Sequence, residues 1–204
     1  MAPTRIDRRE RMALQTRADI LQTARRLFAE RGYAATSVND IAEEAGVALQ
    51  TIYARLGSKR GIVMALLEVI DEEAGVPEAA VAVATGGTPE KVLRAQNRLT
   101  RGVQERCGDI IGALIAAGAL EPEVEQVVAE GLRRHRRGAR ITIDRIAELG
   151  GLRHDLPPDH AIALLSAATT HDAWYELVHA HKLSWDEAER TLNEALTRAI
   201  LRPN

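Results

Sequence analysis

A single cysteine, Cys107, is all that this chain of 204 residues carries, so no internal disulfide can form. A lone thiol fits a reducing cytoplasm and reads as an inert helix residue. Aromatic residues are equally scarce at 3%, so within an apolar total of 46% the interior must be filled by Leu, Ile, Val and Ala. No window approaches the ~18 uninterrupted apolar residues of a membrane span. The N-terminus, MAPTRIDRRERM, has charge but lacks the apolar stretch of a secretory signal. A Gly-rich phosphate loop, zinc-type Cys/His spacing and a Gly-x-Ser-x-Gly elbow are all missing. His179 and His181 lie two apart, on different faces of a helix, and His171 and His179 are too distant to hold one ion unaided. Asp172 and Glu176 lie one helical turn apart, but nothing else announces a substrate cleft, so they read as ion-pairing groups. Neither a metal, nor a cofactor, nor an enzyme is expected.

What is present is a charge asymmetry and a run of short helix signals. Residues 1–60 carry 11 Lys and Arg against 7 Asp and Glu, and the remainder carries 16 against 22, beneath a net charge of −2. A basic N-terminal third fits a segment that meets phosphate. In residues 37–59, SVNDIAEEAGVALQTIYARLGSK, the apolar side chains Val38, Ile41, Ala42 and Ala45 fall on one helix face. Ser37, with Asp40 three residues on, supplies an N-cap, and Gly46 supplies the left-handed stop. A second short helix is predicted over residues 49–56, with Ile52 inward. Two short helices, a Gly turn and small Ala42 at the crossing make a helix-turn-helix. Gln50, Thr51, Tyr53 and Arg55 crowd the outside of the second helix, and Lys59 follows it. Hydroxyl, amide and guanidinium groups are what base edges and phosphates need in a major groove.

Residues 27–63, LFAERGYAATSVNDIAEEAGVALQTIYARLGSKRGIV, resemble the TetR family of transcriptional repressors, with RLFAERGY before the motif and TIY…SK after it. The resemblance implies an all-α fold of about nine helices. A three-helix DNA-binding head precedes a helical body for ligand binding and dimerisation. The expected divisions are a mobile basic arm over residues 1–15, the head over 16–60 and the body over 61–204. Arg5, Arg8, Arg9 and Arg11 make the arm either a solvated tail or a minor-groove and phosphate contact.

Along the chain, a first helix is predicted over residues 16–31, where Ile20, Leu21, Ala24, Leu27 and Phe28 form the stripe and Gly32 the stop. Tyr33 is expected to pack its ring in the core, with its hydroxyl near the DNA side. Ser58 caps a fourth helix with a wide apolar face. Residues 75–88 read as a loop with ambiguous helical content. Helices follow over 88–106, 109–119 and 121–149. The Arg-rich run at 133–140 is either a solvated face or a surface for an acidic partner or nucleic acid. The last two helices, over 159–181 and 184–202, include the capping box Ser184–Glu187 and a stripe of small residues. That pair resembles the family's dimerisation region and implies a homodimer through the last two helices.

Carried over by the resemblance, DNA contacts fall on Thr36, Ser37, Leu49, Gln50, Thr51, Tyr53, Arg55 and Lys59. Thr51, Tyr53 and Lys59 match the pattern for gripping phosphate. Gln50 would pair with an adenine, and Leu49 would touch a thymine methyl. Two positions depart from the pattern. Ala54 stands where many members place an aromatic, which removes a backbone contact, and Leu56 replaces the usual Phe. The resemblance also implies a small-molecule inducer in the body, near Asn97, Arg101, Thr169, Thr170, His171 and Trp174. The expected function is thus a cytoplasmic, ligand-responsive repressor that binds a palindromic double-stranded operator as a dimer. The alternative is a helical interaction or scaffold protein that keeps the head as a packing unit.

Overall fold

A computed structural model describes residues 8–73 and 76–203. Among them ten α-helices carry the fold, and the chain divides into two compact units. One is Met1–Val69 with Gly112–Gln126, and the other is Ile70–Ile111 with Val127–Asn204.

The first unit holds α1 (Arg8–Arg31), α2 (Val38–Glu44), α3 (Leu49–Leu56) and most of α4 (Lys59–Glu73). The predicted stripe of α1 is its core: Ile20, Ala24 and Leu27 are fully buried, alongside Ile41 of α2, Ile52 of α3, and Ile62 and Val63 of α4. Helix α2 starts as predicted, since Ser37 accepts from the Asp40 N–H while the Asp40 carboxylate accepts from the Ser37 N–H. Gly32 and Gly46 end their helices at φ values of 82° and 64°, where a side chain would be strained. Arg26 ties α1 to Glu44 of α2, and Arg17 ties α1 to Glu68 of α4. Both pairs are exposed and contribute little individually.

Helix α1 begins at Arg8 rather than at residue 16, so much of the expected arm is helical; residues 1–7, with Arg5, lie outside the described residues. Good helix formers fill this helical start. The Gln15–Asp19 amide–carboxylate bond of 2.8 Å bridges one turn.

The second unit contains α5 (Val76–Thr85) and parts of α6 (Pro89–Gly118) and α7 (Pro122–Glu148). It also contains α8 (Pro158–Ala168), α9 (His171–Tyr175), a π-helical turn (Glu176–Ala180) and α10 (Trp185–Ile200). The ambiguous Ala/Val segment is thus largely helical. The helices predicted over 88–106 and 109–119 are one, since buried Cys107, Ile110 and Leu114 keep a continuous inward stripe past Gly108. The helix predicted over 159–181 breaks after Ala168, because the Thr170 hydroxyl accepts from the Ala173 N–H and starts α9 afresh. The core joins Val92 and Leu93 of α6, Ile143 and Ile146 of α7, Leu165 of α8, and Leu196 and Ile200 of α10. The C-terminus is pinned by backbone bonds from Arg153 to Ile200 and from Arg202 to Gly151.

One glycine fixes how α3 meets α4. A Cβ on Gly61 would overlap the carbonyl oxygen of Leu56, which closes α3. On helix propensity alone Gly61→Ala would gain about 1 kcal/mol, but the clash with backbone reverses the sign. Urea unfolding of Gly61→Ala is expected to show a net loss of at least about 1 kcal/mol. A gain would show that the α3–α4 corner yields freely.

Candidate nucleic-acid interface

Helix α3 turns half of its side chains outward. Only Ile52 is fully buried, while Gln50, Tyr53 and Ala54 are exposed, Tyr53 to 48%. At about 100° per residue, Leu49, Tyr53, Gln50 and Ala54 span one continuous arc. That arc offers an amide, a phenol and two apolar groups, with Ala54 at its edge.

Not every expected contact joins this face. Thr36 is 1% exposed, and its hydroxyl donates to the carbonyls of Gly32 at 2.9 Å and Leu27 at 3.3 Å, which fixes the α1–α2 corner. Ser37 is exposed but committed to its cap, where its hydroxyl donates to Asp40 at 2.7 Å. The hydrogen bonds from Ser37 hold the Asp40 carboxyl below its ordinary pKa, so the cap stays charged. Arg55 sits about 160° around α3 from Tyr53, and its guanidinium donates to the Ala13 carbonyl at 3.2 Å. Thr51 is half-buried between the two sides.

Lys59, also half-buried, opens α4. Its ammonium stands 4.0 Å from the centroid of the Tyr33 ring and 3.5 Å from the Ala34 carbonyl. Burial lowers its pKa, against the opposing pull of Glu121 and Asp40. Ser58 accepts from the Gly61 N–H at 3.0 Å and caps α4.

In the second unit a polar seam runs between α6 and the last helices. Asn97 is fully buried and donates to the Asn193 side chain at 2.7 Å, yet its own Oδ1 has no partner. Arg101 meets Asp186 and Glu189 at 2.6 Å each and Glu105 at 3.1 Å. Burial opposes its charge, but the three carboxylates outweigh that and raise its pKa. His171 Nδ1 lies 2.8 Å from Gln104 Oε1, and burial holds the imidazole below its ordinary pKa. Trp174 is fully buried and packs on Trp185 at 5.9 Å, with its Nε1 unpartnered. The other two expected residues spend their hydroxyls locally. Thr169 donates to Leu165, and Thr170 donates to Ala167 while capping α9. Gln104, Glu189 and Asn193 also join the seam, and their only linear signal is polarity near inward stripes. Among the described residues no three metal-ligating side chains cluster, and no helix is long and apolar enough to cross a membrane.

Comparison with known proteins bears on the first unit most directly. Residues 20–66 match the family model of bacterial regulatory proteins, tetR family. The chain is 28% identical over 152 residues to YdeS, an uncharacterized HTH-type transcriptional regulator of Bacillus subtilis, covering 74% of each chain. It is 42% identical over 67 residues to the HTH-type transcriptional regulator TtgR of Pseudomonas putida, a match spanning 33% of this chain and 32% of that one. A solved structure from Saccharomonospora viridis, in complex with choline, shares the fold at a TM-score of 0.75 and 23% identity, covering 93% of this chain and all of the other.

The neutral state of His171 has a consequence for stability. Its folded pKa lies below the unfolded value, so as pH falls through about 6.5 the unfolded chain takes up a proton first and stability declines. Urea midpoints of the wild type are expected to drop between neutral and mildly acid pH, and His171→Gln should flatten that part of the profile. Superimposable profiles would show that His171 titrates alike in both states.

Proposed function

We propose, from the chain's membership of the TetR family of DNA-binding transcriptional regulators, which are not enzymes, that it is a cytoplasmic repressor binding a palindromic operator as a homodimer. The observation that carries this reading is the outward arc of α3, followed in the chain by the Lys59 cation at the start of α4, within the segment that matches the family. Gln50 and Leu49 read base edges, while Tyr53, Thr51 and Lys59 hold phosphates. Ser37, exposed at the start of α2, is kept as a proposed phosphate contact. Thr36 and Arg55 stay in the set of proposed contacts, although their side chains serve the head's own backbone. In the second unit Ala163, Leu164, Ala167 and Tyr175 leave an exposed apolar stripe along α8 and α9, within the 159–181 segment expected to pair, which supports a homodimer, whereas Ala188, Leu192 and Leu196 of α10 are spent on the chain's own core.

Small-molecule response is proposed for the α6–α10 seam, with Asn97 and Trp174 as the orienting groups, since each keeps a buried polar atom unpaired. Arg101, Thr169, Thr170 and His171 form the surrounding frame. One guanidinium already faces three carboxylates and the imidazole is neutral, so the frame offers no free cation to an anionic ligand. The aromatic pair Trp174–Trp185 and the surplus carboxylates favour a neutral or cationic molecule. The choline complex of the Saccharomonospora viridis protein points the same way. Release from DNA would then be a population shift, and would require the ligand to prefer one state.

Two measurements check these readings. In a binding-site scan Lys59→Ala should weaken binding to all sequences and lower the salt slope by about 1, whereas Gln50→Ala should cost about 1–3 kcal/mol only at its own base. Identical behaviour of the two variants would contradict this division. In a thermal-shift panel, quaternary ammonium and neutral aromatic compounds should raise the melting temperature and simple carboxylates should not. Stabilisation by carboxylates alone would contradict the proposed ligand class.

A further inference from the structure

The hydroxyl of Tyr33 plays no part in the DNA contacts just proposed, and within the fold it faces a single carboxylate. Its ring is 2% exposed and packs on Phe28 at a centroid distance of 5.3 Å. Its oxygen stands 3.4 Å from Glu121 Oε1, in the turn between α6 and α7. Burial first, and then the Glu121 carboxylate, push the phenol pKa up to about 12, so the hydroxyl remains a donor near neutral pH. The same ring carries the Lys59 ammonium at 4.0 Å, and the Glu121 charge also acts on that ammonium. One residue further on, Arg60 pairs with Glu123, two residues beyond Glu121. All five residues belong to one compact unit. Glu121 in the α6–α7 turn thus stands on the Tyr33 hydroxyl with its charge acting on Lys59, while Glu123 at the start of α7 pairs with Arg60, the second of the two consecutive cations that open α4.

We propose that Tyr33 is a positioning residue for the DNA grip: its ring seats the Lys59 ammonium, and its hydroxyl ties that seat to Glu121, which withholds the cation from phosphate. The inference rests on Lys59 being a phosphate contact. A phosphate oxygen and the Glu121 carboxylate compete for one ammonium, and the aromatic face adds to the carboxylate's side of that competition. Any rearrangement that draws the turn away from Tyr33 shifts the balance toward DNA. Any rearrangement that tightens the turn shifts it back.

Anisotropy titrations of the full chain against a labelled duplex of mixed sequence, at low and at physiological salt, test this. Lys59→Ala is measured first and should weaken binding. Glu121→Gln and Tyr33→Phe should each tighten it roughly threefold to tenfold, on the scale of one partly exposed cation contact. The double variant should be no tighter than either single one, and both effects should vanish in the Lys59→Ala background. Glu125→Gln removes an exposed acid close by in the same unit and controls for net charge; it should change little. Equal tightening by Glu121→Gln and Glu125→Gln, or weaker binding by Tyr33→Phe and Glu121→Gln, overturns the proposal. If Lys59→Ala weakens binding while the other two variants are inert, this inference fails and the interface stands. If Lys59→Ala is itself inert, both fall.

Discussion

Helix α3 rests on one fully buried side chain, Ile52, and the rest of the head is arranged to make that sufficient. Eight residues form a marginal helix in water, so its stability must come from its neighbours. Val47 and Gly46 donate backward to the carbonyls of Ala42 and Glu43, which sets the angle at which α3 leaves α2. At the other end Gly61 lets α4 pass against the Leu56 carbonyl without a side chain between them. With both ends fixed by backbone, the exposed side of α3 is free of packing duty. Exposed Gln50 can then meet base edges and exposed Tyr53 a phosphate without either carrying the fold. This is a physical basis for a sequence reader: rigid placement, with specificity carried by side chains that hold nothing up.

The body follows the opposite rule and places polar groups inside. Gln96 accepts from buried Thr142, Asn97 donates to Asn193, and Arg101 is drawn between Asp186, Glu189 and Glu105. Such a seam adds less stability than an apolar one of equal volume, and it penalises any register that breaks its pairs. Left unpaired within it are the Asn97 oxygen and the Trp174 N–H. These are the two groups on which the proposed small-molecule response rests.

Local chemistry was legible in the chain; long-range pairing was not. The α2 cap at Ser37, the stop at Gly46, the inward Ile52 and the cap at Ser184 all follow from neighbours within a few residues, and each stands where the sequence places it. Three boundaries went astray for physical reasons. Residues 8–15 have helix-forming side chains but no apolar stripe, so periodicity is silent there. The break expected between 106 and 109 is bridged because burial on either side carries α6 through it, and the helix expected over 159–181 is interrupted where Thr170 caps α9. Thr36 and Arg55 look like contact residues in a pattern, yet three dimensions show their donors turned to nearby carbonyls. The α6–α10 pairs join residues 85 to 96 apart, and no window of sequence could bring them together. Tyr33 is the instructive mixture: its buried ring was legible, while its partner Glu121, 88 residues away, was not.

Whether the head reads DNA as a pair is best decided by selecting sites from randomised and genomic DNA, then titrating the selected duplex to stoichiometry at two salt concentrations. A palindromic site whose half-sites recur about one helical turn apart or more, saturated at two protomers per duplex with a strong salt dependence, is the predicted result. No enriched sequence, or saturation by a single protomer on an asymmetric site, would contradict a dimeric operator-binding repressor.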